Sequence, residues 1–95
     1  MMKTNASFTI LLRREETDGL HNCFRLIRTF DAFQGADVYS VFLTTEDGGE
    51  CTEDFVYDIS RDYGEVKRFF DLLCRNGATA THLRELAEDF IASVS

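Results

Sequence analysis

The chain predicts an α+β fold: a four-stranded antiparallel β-meander followed by a two-helix hairpin packed on one face. Three observations carry that expectation. Up to residue 59, apolar and polar side chains alternate in four runs separated by turns rich in Gly and Asp. From residue 60 onward, apolar side chains instead recur at helical spacing. The links between the runs are also too short for the crossover of a dozen or more residues that parallel strands need.

The first strand is expected over Ser7 to Glu15, with Phe8, Ile10 and Leu12 on one face and Thr9, Leu11 and Arg13 on the other. Thr17-Asp18-Gly19 supplies a turn. Asn22 to Phe30 follows, setting Phe24, Leu26 and Phe30 against Cys23, Arg25 and Ile27. A looser link, Asp31 to Ala36, leads to a third strand, Asp37 to Thr45. There Val38 and Phe42 oppose Tyr39, Val41 and Leu43. Glu46-Asp47-Gly48-Gly49-Glu50 is the clearest turn, and Cys51 to Ile59 pairs back with Phe55, Tyr57 and Ile59 on one face.

Ser60 or Asp62 caps the first helix, and Glu65 stands at the capping-box distance from Asp62. Val66, Phe69, Phe70 and Leu73 form its apolar stripe, Gly64 weakens its first turn, and Asn76-Gly77 ends it. Thr79 or Thr81 caps the second helix. Its stripe is Leu83, Leu86, Ala87, Phe90, Ile91 and Val94, with Glu85, Glu88 and Asp89 turned away. Neither helix is long enough to be stable alone, so both need the sheet. The 95 residues therefore read as a single domain, with 1–59 as sheet and 60–95 as helical hairpin.

Charge limits the partners. The net charge is −7, and residues 1–45 contribute nothing to it, holding five basic and five acidic side chains. The later half holds five basic and twelve acidic ones. That surface repels phosphate backbones and anionic lipid, so neither nucleic acid nor membrane is expected as a partner. Three cysteines without framework spacing suit free thiols in a reducing cytoplasm. Met1 to Leu12 has too short an apolar run for a signal peptide or a membrane span.

Candidate chemistry is thin. His21 and Cys23 share a strand face, and Cys51, Cys74 or His82 could complete a zinc site, but no CxxC or HxxxH spacing supports one. Cys51 or Cys74 with His82 is the candidate Cys–His pair for an enzyme, and Cys74 sits where a small core residue belongs. Glu46, Asp47, Glu50, Glu53 and Asp54 lack the order of an EF-hand loop and read as a solvated hairpin tip. Arg13 and Arg25 share a face opposite Arg14 and Arg28, so at most pairs converge on an anion. No phosphate-binding glycine loop or hydrolase motif is present, and no cofactor is expected.

Asp58-Ile59-Ser60, Val66, Leu73, His82-Leu83-Arg84-Glu85 and Glu88-Asp89-Phe90 together resemble a family of short clostridial and related Firmicutes proteins that form a domain of unknown function. The resemblance covers about the last forty residues well and the strands only in pattern. It implies a bacterial origin and a meander plus two helices, and no activity. The family pattern commonly carries Pro two residues before the His, where this chain has Ala80, so Thr81 capping would replace a stiff start to the second helix.

The third strand is apolar on both faces, and a sheet of that kind wants a second cover. Another copy of the chain supplies one, so a homodimer is expected. The leading expectation is a non-catalytic interaction or assembly module working through an uncovered face carrying Tyr39, Val41 and Leu43, or through Glu85, Glu88 and Asp89, on itself or another protein. The alternatives are a binder of small anions using Arg13 and Arg25 beside Tyr39, and a Cys–His enzyme.

Overall fold

A computed structural model describes residues 8–94. Ser7, the expected start of the first strand, lies outside the described residues, as does most of the Met1–Leu12 segment. Four strands, β1 (Phe8–Asp18), β2 (Leu20–Asp31), β3 (Ala36–Asp47) and β4 (Glu50–Ser60), form one antiparallel sheet in the order β1-β2-β3-β4. Helix α1 (Tyr63–Arg75), a 3-10 turn (Ala80–His82) and helix α2 (Leu83–Val94) follow and pack against the sheet. The fold is the expected α+β meander. Its strands run beyond the expected bounds because pairing continues almost into the turns.

The turn chemistry is local. Gly48 and Gly49 both take positive φ, 58° and 96°, the pair of left-handed positions that a two-residue hairpin loop needs to match strand twist. Asp62 caps α1 by accepting from the Glu65 N–H at 3.3 Å. Ser60 supports that cap, accepting from the Asp62 N–H and donating to Glu65 Oε1. Gly64, an expected weakness, has a positional reason: a Cβ there would sit 3.2 Å from the capping oxygen Asp62 Oδ1. Gly77 ends α1 in the left-handed conformation, while the Ala78 N–H reaches back to Leu73 O.

Two bulges overturn the simple alternation. Ile10 pairs with Ile27 but Leu12 pairs with Leu26, so the ladder shifts across Leu11. Phe8 and Ile10 therefore stay on one face while Leu12 joins the other, contrary to the expected Phe8–Ile10–Leu12 stripe. In β4 the shift lies between the pairs Val41–Val56 and Tyr39–Ser60, and Asp58 takes a positive φ of 55°. Ile59 consequently turns into the core, away from Phe55 and Tyr57. The Asp58 N–H, displaced from the ladder, donates to Ser40 Oγ at 2.9 Å.

The core lies between the helices and the face carrying Phe24, Leu26, Val41, Leu43 and Val56. Val66, Phe69, Phe70 and Leu73 of α1 close over it, and Phe70 meets Phe24 edge to face with centroids 6.4 Å apart. Val41 and Leu43 are fully buried here. They are roofed by the helices, and Tyr39 packs against the same core. The expectation that Tyr39, Val41 and Leu43 form an uncovered surface is thus corrected: the open face is the one bearing Phe8, Ile10, Ile27, Phe42 and Phe55. Helix α2 also departs from its expected stripe. Leu83 and Ala87 are buried, whereas Leu86, Ile91 and Val94 remain over a third exposed.

A buried polar relay pins the start of α2. Thr45 Oγ1 donates to Asn22 Oδ1 at 2.7 Å and accepts from the Ala80 N–H at 2.9 Å. Ala80 therefore contributes an N–H that Pro lacks. The expected Thr81 cap is not used: Thr79 stands at the N-cap of the 3-10 turn without a side-chain bond to its backbone. Arg84 ties α2 to β4, reaching Asp54 Oδ1 at 2.9 Å and Phe55 O at 3.2 Å.

Candidate functional site: an open sheet face and an interhelical groove

On the open face, β1, β2, β3 and β4 contribute Ile10, Ile27, Phe42 and Phe55, the positions left after the bulges have sorted each strand's side chains. Together with Phe8, Thr29 and Arg25 they line a shallow depression of about 390 Å³. Phe8 is 60% exposed, Ile10 46% and Phe55 40%, although all are large apolar side chains. Phe42 and Phe55 stack edge to face at 6.3 Å, and Phe55 continues to Tyr57 at 6.2 Å. Toward the β2–β3 loop the face is enclosed, with Val38 and Ser40 fully buried.

Arg13 and Arg25 stand directly opposite each other in the β1–β2 register. Arg13 pairs with Glu15. Arg25 lies over the Phe42 ring at 5.4 Å, a cation–π contact, and its Nη1 is buried with no acceptor among the described residues. Tyr39 is on the other face, stacked on Tyr63 at 5.6 Å, so the expected grouping of Arg13, Arg25 and Tyr39 does not form. Arg14 lies over the Phe70 ring on the helical side. At the edge of the open face His21 bridges two carboxylates, with Nε2 3.0 Å from Glu15 and Nδ1 3.5 Å from Glu46. The hydrogen bond to Glu15, then that to Glu46, raises the His21 pKa above its ordinary value.

The second concavity lies between α1 and α2, a groove of about 710 Å³. Phe69, Leu72, Leu73, Leu86 and Phe90 give it an apolar lining, and Glu85 and Asp89 stand along it on α2. Phe69 and Phe90 touch at a centroid distance of 5.0 Å. Of the expected acidic surface Glu85, Glu88 and Asp89, the first and last thus join an apolar feature that sequence reasoning missed. The signal was the width of the α2 stripe, six apolar positions where a helix over a sheet edge can bury only a few.

The chemistry-bearing residues stay apart. Cys23 and Cys74 are buried, Cys51 is exposed, and all three are free thiols. Burial pushes the Cys74 thiol up, which keeps it protonated and unreactive at neutral pH. His82 Nδ1 lies 3.2 Å from Thr79 Oγ1. Among the described residues there is no group of three or more His, Cys, Asp or Glu placed to hold a metal ion. Glu46 and Asp54 of the acidic hairpin turn instead to His21 and Arg84. No described helix is long and apolar enough to cross a membrane.

These features define a small two-layer α+β domain with an apolar open face. Residues 12–93 match the model of a family of unknown function (DUF6514), and the chain belongs to that family. No curated protein and no solved structure matches it.

Proposed function

We propose that this chain is a non-catalytic interaction module of the bacterial cytoplasm, and that it pairs with a second copy of itself across the open face of its sheet. The uncovered side chains Phe8, Ile10 and Phe55, around the half-buried Phe42, carry the reading, because a monomer leaves that apolar area in water. Charge permits the pairing, since residues 1–45, which build most of the face, sum to zero. Three free thiols, two of them buried, support a reducing compartment.

Light scattering coupled to gel filtration tests this. The wild-type chain should run as a dimer, and the double variant Ile10→Lys, Phe55→Lys as a monomer with an unchanged far-UV circular-dichroism spectrum. Both side chains are at least 40% exposed, so the fold survives the change. A wild-type monomer at the highest soluble concentration refutes the proposal. The place of the Arg25 guanidinium in the lining of the depression favours one second reading, a small carboxylate or phosphate held on that side chain. Calorimetric titration with acetate and phosphate, lost in Arg25→Gln, would support it.

A further inference from the structure

We infer that the groove between α1 and α2 is a docking site for a short amphipathic helix of another protein, one whose apolar stripe is flanked by Lys or Arg. The groove lies on the helical side, away from the open sheet face, so the inference goes beyond the self-association reading. Its floor is apolar and partly solvent-exposed: Leu72 and Leu86 are each 38% exposed on facing helices, with Phe69, Leu73 and Phe90 between them. The lining runs from Phe69 to Asn76 on α1 and from Glu85 to Ser93 on α2. At 1.5 Å per residue that is about 10–12 Å, or two helical turns. An occupying helix would insert side chains at i, i+3 or i+4, and i+7, which is the helix-in-groove mode of recognition.

Charge selects the partner. Glu85 and Asp89 line the groove, and no Lys or Arg does. Neither carboxylate takes part in an ion pair among the described residues, whereas Asp54 and Asp71 are paired. His82 also lines the groove, and Arg68 is laid over the Phe90 ring at 5.7 Å. A second copy is a poor occupant, because its helices have turned their main apolar stripe to their own sheet. Basic flanks on the incoming helix complement the site, and acidic ones are repelled.

The test titrates the full chain with three synthetic peptides of about 15 residues, followed by calorimetry and backbone-amide NMR. One carries a Leu stripe with Lys flanks, one the same stripe with Glu flanks, and one Lys flanks with the stripe scrambled. The Lys-flanked peptide should bind and shift the amides of α1 and α2. The Glu-flanked one should bind at least about tenfold more weakly, and the scrambled one should not bind. Glu85→Lys with Asp89→Lys should reverse the charge preference, Leu86→Asp should abolish binding, and the Ile10→Lys, Phe55→Lys variant should bind as wild type. Binding that ignores flank charge, shifts confined to the open sheet face, or no binding to the Lys-flanked peptide would overturn the inference. Failure of dimerisation leaves these outcomes untouched, so the two readings fail separately.

Discussion

Replacing Thr45 with Val removes one hydroxyl and almost no volume, yet it breaks two bonds, one between β2 and β3 and one that fastens the segment before α2 to the sheet. Thr45 Oγ1 gives its proton to Asn22 Oδ1 and receives the Ala80 N–H. Asn22, Thr45 and Ala80 are 7%, 8% and 2% exposed, so water cannot readily replace the lost partner. Each orphaned buried group costs about 1–3 kcal/mol. The residual exposure of Asn22 favours the lower half for the pair, roughly 2–4 kcal/mol in all. A 95-residue domain has only about 5–14 kcal/mol to lose, and each kcal/mol lowers Tm by about 4–8 °C. Thr45→Val should therefore melt roughly 10–30 °C below wild type by circular dichroism. Thr44→Val, one residue earlier and on the opposite face, is the control and should stay within about 0.5 kcal/mol. A double-mutant cycle with Asn22→Ala should return a coupling of about 0.5–3 kcal/mol. If Thr45→Val melts with wild type, or the Thr44 control costs as much, the relay does not hold the second helix.

Three further outcomes follow from the same geometry. His21 has a raised pKa because Glu15 and Glu46 hold its charged form, so its contribution is fully present below the unfolded value near 6.5 and is lost as pH rises through the folded value. The urea midpoint of wild type should accordingly fall toward that of His21→Gln as pH rises from about 6.5 through the raised folded value, and a pH-independent gap would contradict the pairing. Asp31 behaves oppositely. The Tyr57 hydroxyl, 2.9 Å from Oδ2, is the main cause of its lowered pKa, so its contribution is present at neutral pH and disappears as pH falls through that lowered value. Tyr57→Phe should flatten the acid limb of the stability profile. Gly77→Ala should cost about 1–2 kcal/mol in chemical denaturation, wholly from backbone strain at φ 63°, since an added Cβ meets nothing within 4 Å. A neutral result would mean that the α1 terminus relaxes out of the left-handed conformation.

Most of the secondary structure was legible because its causes are local. Gly48-Gly49 states its turn, Asp62 and Glu65 state a cap, and Val66, Phe69, Phe70 and Leu73 state which side of α1 is apolar. Sheet sidedness was not, because strand parity survives only until a bulge, and a bulge is a property of two strands in register. One extra residue at Leu11 sends Leu12 inward, and the left-handed Asp58 does the same for Ile59. Neither position is Gly, the residue that would have marked it.

The candidate surfaces divide in the same way. From the sequence alone came a sheet apolar on both faces, an acidic second half, and the apolar stripe of α2. Tertiary structure alone decided that Val41 and Leu43 are roofed while Phe8, Ile10 and Phe55 are bare, and that Glu85 and Asp89 border a groove. It also joined Asn22, Thr45 and Ala80, which lie 23 and 35 residues apart along the chain. Periodicity reports how one element distributes its own side chains. Which face is covered, and by what, depends on the shape of the neighbours, which no single element encodes.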